Sequence, residues 1–220
     1  VLTSWGIVFS NDPVALGWFS FHPIFQSTAI ASFTYGILTL QPTSLPGSKA
    51  AGLQRHQIAM IGIGIPCILL GAGAMIYNKS SHSAPHFTSW HGTCGIITVV
   101  WLIIQATFGA ASVWYGGAAL GGGMKAKSLW KYHRHSFIVS FRLSGYILLP
   151  LALFTAHLAG SESYWVTHNS SALARFVAYN LAPVVIVVGI YSRIRYVLSF
   201  QTNSLSVITK QLDRPSKMKF

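Results

Sequence analysis

Residues 89–115 read SWHGTCGIITVVWLIIQATFGAASVWY and contain no charged side chain. An α-helix needs about 20 apolar residues to cross the hydrocarbon core of a bilayer, which is roughly 30 Å thick. The stretch is long enough for one crossing, and His91 stands near its beginning. It therefore predicts a membrane-spanning helix with a histidine close to one membrane face.

The remainder of the chain has the same apolar character. Of its 220 residues, 52% are hydrophobic and only 8% are charged, which excludes an ordinary soluble domain. Four further apolar stretches are long enough to span a bilayer: 18–40, 56–77, 131–159 and 173–198. Residues 1–9 are apolar but too short to span alone, and we interpret them as the end of a first helix. These patterns predict an all-α, multipass membrane helical bundle over residues 1–200, followed by a basic tail at 201–220.

Basic residues gather on one side of this predicted bundle. The chain carries 15 Lys and Arg against 3 Asp and Glu, a formal net charge of +12. Most of the basic residues fall in predicted loops at 41–55 and 116–135, the second opening on a Gly-rich turn, and in the C-terminal tail. Because cytosolic loops of membrane proteins are rich in Lys and Arg, these segments are predicted to be cytosolic. Topology thus explains the charge, and no nucleic-acid partner is expected.

Four histidines stand at or near the beginnings of different apolar stretches: His22, His56, His91 and His133. They are separated by 34, 35 and 42 residues, so helices that cross in turn would place the first and third at one membrane face and the others at the opposite face. Neutral imidazole is a common axial ligand of haem iron, and an unpartnered imidazole in lipid costs free energy. The alternation predicts two bis-histidine sites for haem b, one near each face.

Simpler explanations exist for each histidine taken alone, since interfacial and helix-capping histidines are common. Only the set of four favours haem. His135 follows His133 by two residues, and residues two apart on a helix point about 200° apart, so one of them at most faces the bundle. We favour His133. Gly92 and Gly95 beside His91 would either give a flat porphyrin room or serve helix packing.

Two rival functions come from other classes. A transporter with a histidine relay would normally carry carboxylates inside the membrane, whereas Asp12, Glu162 and Asp213 all lie outside the predicted spans. A membrane anchor subunit that holds haem for a partner dehydrogenase would also fit the basic cytosolic side. Cys67 and Cys94 lack the spacing of a metal site and are expected to be buried small hydrophobes.

The motifs FHPI (21–24), QRHQ (54–57), PHFTSWHG (85–92) and LWKYHR (129–134), in this order and spacing, resemble the cytochrome b561 family. The closest likeness is to its six-helix members without large extra domains. The resemblance implies that the four central helices hold two haem b groups, with His22 and His91 binding the non-cytosolic haem and His56 and His133 the cytosolic one. It implies electron transfer from cytosolic ascorbate to a ferric chelate or monodehydroascorbate across an endomembrane or the plasma membrane. Pairing of two copies into a homodimer is also expected.

Ascorbate is an anion near neutral pH, so basic residues at the cytosolic mouth are its candidate ligands: Arg55, Lys131, Lys49, Lys125 and Lys127. Taken singly, each of these could serve only to set the topology. On the opposite side, the segment NKSSHSAPHF (78–87) contains three candidates for binding the acceptor: Lys79, His82 and His86. His86 could also relay a proton, touch iron, or simply be a solvated loop residue.

Overall fold

The computed structural model describes residues 1–40, 46–123 and 141–193, and within these ranges the regular structure is helical. A short helix α1 (Leu2–Phe9) and a 3₁₀ turn (Gly17–Ser20) precede α2 (Phe21–Leu40). The next helix begins as α3 (Pro46–Gln57), passes through a π-helical segment (Ile58–Gly64) and continues as α4 (Ile65–Ser81). The predicted all-α membrane bundle is confirmed.

The second half of the chain is also helical where it is described. Helix α5 (Trp90–Val113) ends in a 3₁₀ segment (Trp114–Leu120). Helix α6 (Phe141–Glu162) is followed by the short α7 (Tyr164–Asn169). The last described helix starts as α8 (Ala172–Arg175), passes through a second π-helical segment (Phe176–Leu181) and continues over 182–193.

In the part of the chain that the structure describes, four helical stretches are long and apolar enough to cross a membrane: Gly47–Ser81, Trp90–Leu120, Ser144–Glu162 and Ala172–Arg193. They correspond to four of the five predicted spans. The remaining one, 18–40, forms the 20-residue helix α2, which is not among these four stretches. Its polar side chains bind backbone carbonyls; Thr28 Oγ1 donates to Ile24 O at 2.8 Å, and Thr34 Oγ1 donates to Ile30 O at 2.8 Å. A helix in a bilayer can carry hydroxyls that are satisfied in this way.

One predicted boundary is wrong. The interval 41–55 was expected to be a loop, yet the helix begins at Pro46, ten positions before the predicted span. Proline suits the first turn of a helix, and the following Ala, Leu, Gln and Arg residues are good helix formers. Hydropathy gives no signal for helix that extends beyond the membrane. By contrast, the Gly-rich segment at 116–123 makes the expected turn, since Gly116, Gly117 and Gly121 have φ of 65°, 77° and 85°.

Within the described part of the bundle, α2 packs antiparallel to α4 and α5 packs antiparallel to α6. Its core joins α2, α4, α6 and the last helix through six buried residues: Ala29, Phe33, Ile68, Leu149, Leu153 and Ile190. A Cβ on Gly64 would collide with the ring of Phe33, so only glycine lets the ring lie against this helix. Between membrane helices, such close van der Waals packing replaces the hydrophobic effect as the source of stability.

The apolar N-terminal residues form α1, which packs into the same end of the bundle as the start of α2. Ile7 lies in a second buried cluster with Val166 and Tyr179. Trp5 Nε1 donates to Ile24 O at 3.4 Å. The predicted tail at 201–220 lies outside the described residues. Cys67 and Cys94 are half-buried thiols, less buried than expected, and Cys67 packs against the core.

Candidate functional site

His22 and His91 lie next to each other at one end of the bundle, although 69 residues separate them in the chain. Each is the second residue of its helix, α2 or α5. Their ring centroids are 5.9 Å apart and the ring planes meet at 85°. Both side chains are half-buried. We call this end of the molecule the His22 end and the opposite one the His56 end.

Both imidazoles are held through Nδ1 by a backbone carbonyl of another helix. His22 Nδ1 lies 3.0 Å from Gly71 O on α4, and His91 Nδ1 lies 2.8 Å from Thr155 O on α6. Since a carbonyl can only accept, each Nδ1 carries the hydrogen. A neutral ring then has its lone pair on Nε2, the atom that binds metal in most histidine sites of this kind.

His56 is held in the same way at the other end of the α2–α4 pair. Its Nδ1 lies 3.0 Å from Gly36 O on α2, and its side chain is half-buried. Its predicted partner His133, and the alternative His135, lie outside the described residues. The pairing predicted at the His56 end therefore stays a prediction.

The helix opposite α2 is the continuous one formed by α3, the π segment and α4. The two helices hold each other's histidines reciprocally. Each contributes one imidazole and one glycine carbonyl, His22 with Gly71 and His56 with Gly36. A Cβ on Gly71 would lie 2.9 Å from Gln26 Nε2, and one on Gly36 would lie 3.2 Å from the Cβ of Ala59. Glycine lets the two backbones approach closely enough for these hydrogen bonds.

The start of α5 is capped from two directions. Ser89 Oγ accepts from the backbone N–H of Gly92 at 3.1 Å, and Glu162 Oε2 accepts from the backbone N–H of His91 at 3.1 Å. Glu162 is the last residue of α6, so a carboxylate from the neighbouring helix meets the positive end of the α5 dipole. Nothing in the sequence pattern indicates this contact of Glu162.

Gly92 and Gly95 both lie against neighbouring parts of the chain. A Cβ on Gly92 would lie 3.3 Å from the backbone of Phe87, which has a φ of 55°. A Cβ on Gly95 would lie 3.7 Å from Thr155 Cγ2. The first contact is tight and the second is an ordinary van der Waals contact, so Gly92 is the more constrained of the two positions.

The three acceptor candidates lie together at the His22 end, where α4 ends and the following loop begins. Lys79 Nζ donates to Pro85 O at 2.9 Å, and His82 Nδ1 donates to Asn78 O at 2.7 Å. His86 Nε2 lies 3.2 Å from Ser80 Oγ, and its ring packs on Phe87. These contacts brace the loop and occupy Nε2 of His86, which gives no support to direct contact of that residue with iron.

The structure describes two of the five candidate residues for binding the donor. Arg55 and Lys49 are both exposed on α3 at the His56 end. Six positions apart, they point about 120° away from each other around the helix. The other three candidates, Lys125, Lys127 and Lys131, lie outside the described residues.

Residues 21–167 match the family model described as eukaryotic cytochrome b561. The chain belongs to the cytochrome b561 family. It is 29% identical over 153 residues to the transmembrane reductase CYB561D2 of Bos taurus, a match that covers 66% of this chain and 67% of the relative. The human protein of the same name is 28% identical over 169 residues, covering 76% of this chain and 70% of the relative. No solved structure matches the chain.

Membership of the family establishes the general function of the protein. This cytochrome b561 is an integral membrane oxidoreductase that uses haem b for transmembrane electron transfer. The family, the fold class and the nature of the cofactor are therefore confirmed as predicted. Membership of the family does not give the number of haems. That number depends on which residues at the two ends of the bundle can bind one.

The donor set at the His22 end fits haem b. Metal–imidazole bonds are about 2 Å long, so two imidazoles on opposite sides of one iron place their ring centres about 6 Å apart. Haem supplies the other four nitrogen ligands itself and needs only two from the protein. Among the described residues, no three His, Cys, Asp or Glu side chains stand together as a site for a metal ion. The cytochrome thus offers a pair of imidazoles and no larger ligand cluster there.

Sequence reasoning missed the groups that orient the histidines. They are the carbonyls of Gly71, Gly36 and Thr155 and the carboxylate of Glu162. It also left His157 unassigned, whose Nδ1 lies 3.1 Å from Tyr179 O in the second π-helical segment. Glycines within apolar spans are a weak signal for such contacts, because they also occur wherever membrane helices pack closely.

Proposed function

We propose that this cytochrome b561 transfers electrons across the membrane through two haem b groups, from cytosolic ascorbate to a non-cytosolic ferric chelate or monodehydroascorbate. The non-cytosolic haem would be bound by His22 and His91, and the cytosolic haem by His56 and His133. The pairing of the His22 and His91 rings at 5.9 Å carries the proposal. The equivalent Nδ1 contact of His56 at the opposite end extends it to a second site.

The protein's own part is to present two neutral imidazoles at each site. Bound by His22 with His91 and by His56 with His133, haem b would supply one-electron transfer and would not activate oxygen or a bound substrate. The carbonyls of Gly71 and Thr155 accept the Nδ1 hydrogens of His22 and His91, which holds each ring in one tautomer and makes Nε2 a stronger donor. These contacts leave the rings little freedom to turn away from the site.

The distribution of charge supports the proposed direction. The predicted loops on the His56 side and the tail carry most of the 15 basic residues, which indicates that this side faces the cytosol. We infer that the His22 end faces the opposite compartment. The membrane concerned would be an endomembrane or the plasma membrane.

Substrate binding is proposed at both ends. At the His56 end, exposed Arg55 adjoins His56 and would attract the ascorbate anion together with Lys49, Lys125, Lys127 and Lys131. At the His22 end, the loop with Lys79, His82 and His86 is the proposed acceptor surface. Lipid surrounds the bundle, and association of two copies is proposed from the family resemblance.

Haem content of the detergent-purified protein, measured as pyridine haemochromogen with ascorbate-reduced difference spectra, tests this function. About two haem b per chain, reduced by ascorbate in two phases, is the expected result. Folded protein without haem would refute the four-histidine assignment. Haem that ascorbate cannot reduce would instead indicate another donor, such as a partner dehydrogenase.

A further inference from the structure

Side-chain hydrogen bonds cross the interface between α2 and the helix formed by α3, the π segment and α4, and four of them, between described residues, end on a backbone carbonyl. They are His22 Nδ1 to Gly71 O at 3.0 Å, Gln26 Nε2 to Ile68 O at 3.1 Å, Ser32 Oγ to Ala59 O at 2.7 Å, and His56 Nδ1 to Gly36 O at 3.0 Å. As the α2 positions advance, their partners run backwards along the other helix. The two helices are therefore joined in one antiparallel register from end to end.

The two helices do not contribute equal numbers of residues to this register. Along α2, 14 residues separate His22 from Gly36, whereas 15 separate His56 from Gly71 on the opposite helix. In a regular α-helix the additional residue would add about 1.5 Å of rise and about 100° of rotation. Nevertheless both histidines reach their partner carbonyls at the same distance, 3.0 Å.

The π-helical segment Ile58–Gly64 lies within the longer stretch and accounts for the difference. A π turn closes its hydrogen bonds over one more residue than an α turn, so it takes up one extra residue without breaking the helix. Helix α2 is α-helical throughout the matching stretch. Ser32 Oγ donates to Ala59 O, the second residue of the π segment, and so adds a hydrogen bond to it from the neighbouring helix.

A similar contact occurs at the second π segment. There His157 Nδ1, on α6, lies 3.1 Å from Tyr179 O within Phe176–Leu181. In both places a polar side chain of an adjacent helix binds a carbonyl of the π turn. This recurrence supports a role for Ser32 in holding the first π segment, beyond satisfying its own hydroxyl.

We propose that the π segment Ile58–Gly64 sets the rotation of His56, and that Ser32 is a positioning residue that holds this segment in register. The π turn accommodates the fifteenth residue. As a result the Nδ1 of His56 reaches the carbonyl of Gly36, while the Nδ1 of His22 still reaches the carbonyl of Gly71. Without the π turn, the ring of His56 would be turned about 100° away from α2. The inference rests on the proposed role of His56 as a haem ligand.

Ser32→Ala, compared with Ser27→Ala, tests the role of the hydroxyl. Ser27 lies on the same helix, but its Oγ donates to Ile24 O of that helix at 3.1 Å, so the control makes the same change without touching the interface. The measurements are haem b per chain and the midpoint potential of each haem, with His56→Ala identifying the haem at the His56 end. Ser32→Ala should shift the potential of that haem or lower its occupancy, and leave the other haem unchanged. Equal spectra and potentials in Ser32→Ala and Ser27→Ala would overturn the role of Ser32.

Changing the residue count tests the register itself. Deletion of Ile61 from the π segment would leave 14 residues between His56 and Gly71, which matches α2, so both haems should be retained. Deletion of Ile30 from α2, where no π turn can compensate, should lose one haem. Loss of the His56-end haem on deletion of Ile61 would overturn the inference while leaving the proposed function intact. If His56→Ala does not change haem content, the proposed function fails and the inference fails with it.

Discussion

The imidazole rings of His22 and His91 stand almost perpendicular, with an angle of 85° between their planes and 5.9 Å between their centroids. Each orientation is set independently, because the two Nδ1 atoms are held by carbonyls of different helices, Gly71 on α4 and Thr155 on α6. The relative angle of the rings is therefore a property of the bundle. It has a spectroscopic consequence if the rings bind one iron.

Perpendicular imidazole planes leave the two iron d orbitals that interact with the rings nearly equal in energy. Ferric haem ligated in this way gives a low-spin signal with an unusually large highest g-value. We expect such a signal from the haem at the His22 end, measured by electron paramagnetic resonance of the oxidised protein. A signal typical of parallel rings at this haem would contradict the observed geometry.

His91→Ala should remove one of the two proposed haems and leave the other reducible by ascorbate. The other proposed haem would be bound at the far end of the α2–α4 interface, where His56 keeps its own contact with Gly36. Haem content and the ascorbate-reduced spectrum of the purified variant provide the check. Loss of both haems, or of neither, would count against the pairing of His22 with His91.

Gly71→Ala should disturb the His22 end selectively. The added methyl would lie 2.9 Å from Gln26 Nε2 and 3.1 Å from Phe25 Cβ, and overpacking of this kind costs about 1–3 kcal/mol. We expect a lower thermal unfolding temperature and a shifted potential of the haem at this end.

Gly73→Ala is the matched control, because a Cβ at Gly73 would meet nothing within 4 Å. It should leave the potentials unchanged and leave stability equal or slightly higher, by about 0.5–1 kcal/mol. Similar losses in both variants would show that the effect comes from replacing glycine as such, and not from the contact with His22.

His135→Ala should keep full haem content, whereas His133→Ala should lose the haem at the His56 end. The two residues cannot both face the bundle if the segment is helical, since they would point about 200° apart. Pyridine haemochromogen assays of the two variants decide between them. The reverse pattern would assign His135 as the ligand.

Arg55→Ala should slow reduction by ascorbate without changing haem content. The side chain is exposed beside His56, and an exposed charge contributes about 0.2–1 kcal/mol, so a loss of up to about fivefold in the second-order rate is expected at low salt. Stopped-flow reduction at two ionic strengths measures it. Lys79→Ala, at the opposite end, serves as the control, and an equal loss there would argue against a donor site near Arg55.

The positions of the spans were predictable because hydropathy is a local property. A stretch such as 89–115 is apolar enough to enter lipid whatever the rest of the chain does. The extension of the helix back to Pro46 was not predictable in this way, since a helix outside the membrane leaves no hydropathy signal. Likewise the hydroxyls of Thr28 and Thr34 on α2 bind backbone carbonyls, a compensation visible only in the folded bundle.

The sequence alone determined the membrane bundle, the cofactor class and the candidate ligands, because each follows from residue type and from the alternation of antiparallel helices. Only the tertiary structure decided what orients those ligands. Every residue has a carbonyl, so nothing in the sequence singles out Gly71, Gly36 or Thr155 as an acceptor. Which carbonyl meets which imidazole depends on the register and rotation of packed helices, and at α2 and α4 that register depends on one π turn.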